Sequence, residues 1–222
     1  MHRILLVLLT LSLASRTYTH TIVIDPGHGG KYVGAVNQSP KIVEKDMALL
    51  LSLSLADKLR AKGHTVILTR ETDVALDETD QIKDLYKRAQ KTTDHKADIF
   101  ISLHLNSTAD TRVSGYEVYV PYEEQFPLKS YLLASAIHYD ISHDIPPHFG
   151  GGNLGNLNSL DKGIRASKFN VLIKATCPAV LIELGYLTHP GTAEKLLQKE
   201  YQELLVTAIY KGILRYFVQA TK

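Results

Sequence analysis

Four side chains in this sequence are of the kinds that hold a metal ion and move a proton, and they lie far apart along the chain. His28 sits inside the glycine-rich stretch DPGHGG, His104 ends the apolar run ADIFISLH, Glu44 opens a long helical segment, and Glu183 interrupts the apolar run AVLIELGYL. Two imidazoles and one carboxylate form a typical catalytic zinc shell, with a fourth position left for water. A second carboxylate beside such a shell can take a proton from the water and deliver it to a leaving group. An unpaired carboxylate is costly to bury in an apolar run, which makes Glu183 the candidate for that task.

The glycines around His28 raise a competing reading, a backbone cradle for phosphate. The sequence has no G-x-x-x-x-G-K-[ST], and its glycines are not spaced G-x-G-x-x-G. No helix signal follows Gly30 directly, so a helix terminus would not assist an anion there. The metal reading is the stronger one, with the glycines allowing a tight turn and close approach of a substrate backbone. Another histidine group, His138, His143 and His148 with Asp140 and Asp144, recurs at five-residue spacing. That spacing does not place the rings on one helix face, so these are expected as surface histidines. Arg70, at a strand end, is a candidate for bidentate binding of a substrate carboxylate, with an ion pair to Glu71 or Asp73 as the alternative. Asn106, just past His104, is a second candidate for substrate binding. Arg88 is expected to be structural.

These residues need elements to bring them together, and the hydrophobic pattern supplies them. Strands are expected at 21–25, 64–69, 97–104, 115–120, 171–175 and 179–184, with helices at 44–61, 80–93, 128–142, 190–198 and 200–217. The 44–61 helix has Glu44 and Asp46 in its first turn, Lys58 and Arg60 near its end, and Gly63 to stop it. Strands alternating with helices imply an α/β fold: a single three-layer domain with a mostly parallel central sheet of about six strands flanked by helices. In such sheets the ligand crevice lies beyond the carboxyl ends of the strands, and a helix that follows a strand starts on that edge. His28, Glu44, His104 and Glu183 therefore converge on one rim.

At 222 residues with 45% hydrophobic and 22% charged content, the chain has the length and composition of one globular domain. His2 and Arg3, the apolar run Ile4–Ala14 and the small polar residues after it have the layout of a secretory signal peptide over residues 1–19. The run is about half the roughly 20 residues of a membrane-spanning helix, so no stable membrane insertion of the mature chain, 20–222, is expected. The formal net charge is +2, with Arg3 and Arg16 in the leader, and no basic face suggests nucleic acid. The lone Cys177 excludes an internal disulfide framework.

The segments IVIDPGHGG, VEKDMAL, ILTRETD, ADIFISLHLNS, GYEVYV and PAVLIELGYLTHP, in this order, resemble the zinc-dependent type-3 N-acetylmuramoyl-L-alanine amidases of bacterial cell walls. The resemblance covers residues 21 to about 217. It implies one Zn2+ per chain on His28, Glu44 and His104, and Glu183 as the catalytic acid/base. It implies a peptidoglycan substrate, cut at the amide between the lactyl group of N-acetylmuramic acid and L-alanine, and an exported enzyme of the periplasm, cell wall or exterior. Tyr186, Thr188-His189 and Ala89-Gln90 depart mildly from the family pattern and touch none of the four key positions. Some relatives carry a long helical insertion that plugs the site until an activator protein removes it. Between Tyr119 and Asp161 this chain offers one helix and a glycine-rich loop, so an open site is expected. Two readings compete: a non-catalytic wall-binding relative, and an exported zinc hydrolase such as an N-acetyl sugar deacetylase.

Overall fold

The structure is a computed structural model and describes residues 19–122, 126–145 and 161–220. The expected leader therefore lies, apart from Thr19, outside the described residues, as do His148 and the glycine-rich loop. A six-stranded sheet runs through the centre, built from β1 (Thr21–Pro26), β4 (Thr65–Leu68), β5 (Ile99–Asn106), β6 (Tyr116–Pro121), β7 (Asp161–Ser167) and β8 (Ala179–Tyr186). A small hairpin of β2 (Val36–Gln38) and β3 (Lys41–Val43) precedes the first helix. Six helices complete the described chain: α1 (Glu44–Ala61), α2 (Gln81–Asp94), α3 (Pro127–Asp144), α4 (Asn170–Ile173), α5 (Pro190–Leu196) and α6 (Lys199–Ala220).

The strand order is β4-β1-β5-β8-β6-β7. The first four strands are mutually parallel, and β6 and β7 run together in the opposite sense, β6 pairing antiparallel with β8. The α/β, mostly parallel reading is correct in class and in strand number, but one member changes. Residues 171–175, expected as a strand, fold largely into α4, because Val171 and Leu172 bury sideways against the sheet while the backbone turns. The sixth strand is instead β7, whose sequence DKGIRAS carries little apolar alternation.

One face of the sheet is covered by α1, α3 and α6 and holds the larger core, with Leu51, Leu55, Leu133, Ile137, Ile209 and Ile213 almost fully enclosed. The other face carries α2 and α4 over a smaller cluster around Val23, Phe100, Ala179 and Leu181. Burial at roughly 25 cal/mol per Å2 of apolar surface makes the first face the main source of stability. The second face is only partly covered, which leaves a cleft.

The ends of the helices are fixed by local chemistry. α1 ends in a Schellman motif: the Gly63 amide, at φ 93°, donates to Arg60, and the His64 amide donates to Leu59. α2 begins at Asp80, whose carboxylate accepts from the Ile82 and Lys83 amides. Among the described residues, no helix is long and apolar enough to cross a membrane.

Candidate active site

β1 ends at Pro26, and the chain then turns through Gly27 and His28 at the carboxyl edge of the sheet. This turn is held by two buried arginines. Arg88 donates to the Pro26 carbonyl at 2.8 Å and the His28 carbonyl at 2.5 Å, while its other donors reach Asp84 and Asp25. Arg70 donates to the carbonyls of Pro26, Gly27, Thr72 and Lys45, at 2.7–3.1 Å. Arg70 is only 3% exposed, so the expected role in binding a substrate carboxylate is corrected: it ties three chain segments behind the site. The structural reading of Arg88 agrees with its position.

The clamp holds His28 at φ 60°, a left-handed conformation that is strained for a side chain bearing a Cβ. The glycines beside it allow close approach of neighbouring groups. A Cβ on Gly27 would lie 2.5 Å from the His104 ring, and one on Gly29 would lie 2.3 Å from the Val74 carbonyl.

The three expected metal ligands meet. Glu44 is the first residue of α1, 4% exposed, and its Oε1 lies 3.0 Å from His28 Nε2 and 2.9 Å from His104 Nδ1. One ligand atom from each residue lies within 4.8 Å of the others, and this is the one such cluster among the described residues. Glu44 Oε1 also accepts from the Leu105 amide at 3.0 Å, and its Oε2 from the Ala35 amide at 2.7 Å. Burial resists ionisation of Glu44, but the bonds and charges of His104 and His28 outweigh it and hold the carboxyl well below the usual range. Gly34, at φ 70°, leaves room for this carboxylate, since a Cβ there would come within 2.4 Å of it.

β5 and β8 set Glu183 directly beside His104 in register, and β6 sets Glu117 on the far side of Glu183. Registered neighbours share a face, so His104, Glu183 and Glu117 form a row across three strands. Glu183 lines the same cleft as His28, Glu44 and His104, with Leu181 and Val171 as apolar walls. Its Oε2 is enclosed without a hydrogen-bond partner. Burial first, then the charges of Glu44 and Glu117, push its carboxyl up to about 8. An enclosed carboxylate held near neutral titration is suited to giving and taking a proton.

Asn106 also lines the cleft, but its amide is engaged, donating to Glu117 at 3.0 Å and accepting from the Ser107 amide at 2.8 Å. Sequence reasoning missed Glu117, which is 3% exposed and also accepts from the Tyr119 hydroxyl at 2.6 Å. In the alternating text GYEVYV a glutamate reads as solvent-facing, and only the strand order reveals that its face is the cleft side. Asp25 was missed as well. It is buried and accepts from Thr69, Ser102 and Arg88, so that the charge of Arg88 and these bonds overcome burial and hold its carboxyl low. Of the second histidine group, the described members His138 and His143 belong to no cluster of candidate metal ligands among the described residues. His138 is buried near the Tyr116 ring, a correction to its expected surface place, and His143 stacks on Tyr139.

Comparison with known proteins agrees with this geometry. Residues 22–215 match the family described as N-acetylmuramoyl-L-alanine amidase. The germination-specific N-acetylmuramoyl-L-alanine amidase of Bacillus subtilis is 32% identical over 207 residues, covering 89% of this chain and 80% of that protein. The solved catalytic domain of CwlV, an N-acetylmuramoyl-L-alanine amidase from Bacillus (Paenibacillus) polymyxa var. colistinus, is 30% identical with a TM-score of 0.75, covering 90% of this chain and 99% of that one. The CwlD amidase of Clostridioides difficile, solved in complex with the GerS lipoprotein, is 28% identical with a TM-score of 0.78, covering 90% of this chain and all of that one, 100%. A match extending from the first strand to the last helix makes the chain a member of the type-3 N-acetylmuramoyl-L-alanine amidase family.

Proposed function

We propose that this protein hydrolyses the amide between the lactyl group of N-acetylmuramic acid and the L-alanine of the peptidoglycan stem peptide, with one zinc ion held by His28, Glu44 and His104 and with Glu183 as acid/base. The observation that carries this reading is the meeting of the His28–Glu44–His104 cluster and the unpartnered Glu183 carboxylate in one cleft. The donor set fits the ion. Two imidazole nitrogens and a carboxylate oxygen face one another, and without a cation each nitrogen must carry a proton to satisfy that oxygen. A divalent ion would replace those protons, and zinc favours this combination of donors. When bound, zinc would polarise the amide carbonyl and lower the pKa of a water to roughly 7.

The chain's own residues do the rest. Arg70 and Arg88 fix the turn that carries His28, and the Ala35 and Leu105 amides fix Glu44. Leu181, Val171 and Leu85 keep the cleft wall apolar, which strengthens charge interactions inside it. Glu183 accepts a proton from the attacking water at its carboxylate and returns it to the amine of L-alanine as the carbon–nitrogen bond breaks. Action on peptidoglycan places the protein outside the cytoplasm, in keeping with a leader at 1–19. The site is read as open without an activator: among the described residues between Tyr119 and Asp161, α3 packs on α6 rather than over the cleft.

The test is digestion of purified wall sacculi by the isolated protein, with and without a chelator, followed by mass analysis. Free stem peptides that disappear under chelation are expected. Loss of acetyl groups instead would favour a sugar deacetylase, and binding without any release would favour a wall-binding protein. Silence until a partner is added would overturn the open-site reading.

A further inference from the structure

Beyond Glu117, on the next strand, stands a cation that makes no side-chain hydrogen bond among the described residues. Arg165 of β7 is in register with Tyr119 of β6, which is in register with Leu181 of β8, so all three share the cleft face. Its side chain is 56% exposed, and its closest charged neighbour is Glu117, with Oε1 at 3.7 Å. That separation gives attraction but no hydrogen bond. Glu117 takes its bonds from Asn106 and Tyr119 instead. Glu117 thus draws the guanidinium toward the row of Glu183 without occupying its fork.

Resting on the amidase reading above, we propose that Arg165 is a specificity residue that binds a carboxylate of the stem peptide, on the acidic residue that follows L-alanine. Neighbouring strands are about 4.8 Å apart, so Glu117 is one spacing from Glu183 and the guanidinium lies just beyond it. Glu183 serves the amine of L-alanine, so the departing peptide leaves from its side of the cleft. An extended chain advances about 3.5 Å per residue, which carries the next residue's carboxylate about 7 Å from that amine, toward Arg165. A planar guanidinium presents paired donors that match a carboxylate bidentately. The zinc ligands lie on the opposite side of Glu183, so Arg165 reads the peptide while they face the scissile bond.

The experiment uses the zinc-loaded full chain and two N-acetylmuramoyl-tripeptides that differ only at the second position, D-glutamate or its α-amide D-isoglutamine. Wild type should favour the free carboxylate. Arg165→Gln should raise KM for it about tenfold with kcat within about twofold, and should change KM for the amide less than about twofold. Arg165→Lys should keep part of the preference. Equal loss on both substrates would mean that Arg165 only balances Glu117 structurally, and no loss on either would mean that it does not touch the peptide. Both results overturn this inference alone. If wild type releases no tripeptide from either compound, the amidase reading falls and this inference falls with it.

Discussion

Two buried charge clusters share the cleft face of the sheet, and they are built on opposite rules. Around Asp25 every demand is met: Thr69, Ser102 and Arg88 bond the carboxylate, and Arg88 extends to Asp84 and two backbone carbonyls. Around Glu183 one oxygen has no partner, and the nearest charges are carboxylates. The satisfied cluster is rigid and fixes the position of His28. The unsatisfied one keeps its proton available. A buried polar group left incomplete is a weakness in a core, and in a cleft beside a cluster of candidate metal ligands it is suited to carrying a proton.

The sharpest test of this contrast is to exchange the two behaviours. Glu183→Ala should lower turnover about 100- to 10,000-fold, the range for loss of an acid/base, while zinc content by atomic absorption stays at wild type. Near-normal turnover would mean that the open carboxylate is not the proton carrier. On the satisfied side, Arg88→Met leaves Asp25 and Asp84 without their cation. It should destabilise the fold by about 3–5 kcal/mol, read as a fall in melting temperature of about 10 °C.

A smaller effect probes the link between the clusters. Gly27→Ala pushes a methyl against the His104 ring and should weaken zinc affinity about 10- to 100-fold with little change in melting temperature of the metal-free protein. Titration separates the regions further. The Glu183 carboxyl sits at about 8 in the fold against an ordinary 4.5, so the folded state holds its proton more tightly than the unfolded chain. Its contribution to stability is full below pH 4.5 and is lost as pH rises through about 8. Melting temperature of chelated protein should fall across that window, and Glu183→Gln should flatten the curve; parallel curves would refute this origin of the slope. The mildest change, Ser102→Ala, removes one of several bonds to Asp25 and should lower stability by about 1 kcal/mol, with hydrolysis retained.

The sequence carried the metal half of the site more clearly than the proton half. His28 and His104 end apolar runs and Glu44 opens a helix with charges matched to its dipole, so the rim rule for α/β sheets brings them together before any coordinates exist. Glu183 was visible as a charge out of place among apolar residues. Glu117 was not, because alternation marks two faces without saying that both are covered. Asp25 was not, and Arg70 and Arg88 were visible without their partners, because hydrogen-bond partners 43 to 77 residues apart leave no local pattern. The run VLIKA read as a strand because a short apolar segment fits a buried strand or a single helical turn equally well. β7 was overlooked for the converse reason, being an edge strand with little apolar content.

The place of β8 has a consequence for how the protein is made. It is the last of the described strands in chain order, yet it lies between β5 and β6 in the middle of the sheet. Without β8 the strand order would divide into two pieces, β4-β1-β5 and β6-β7, which share no strand pairing with each other. On the proposed mechanism, a chain lacking β8 would contain His28, Glu44 and His104 but neither Glu183 nor the Leu181 wall of the cleft. The strand that joins the two halves of the sheet is also the one that carries Glu183, so on the proposed mechanism hydrolytic competence would depend on completion of the sheet.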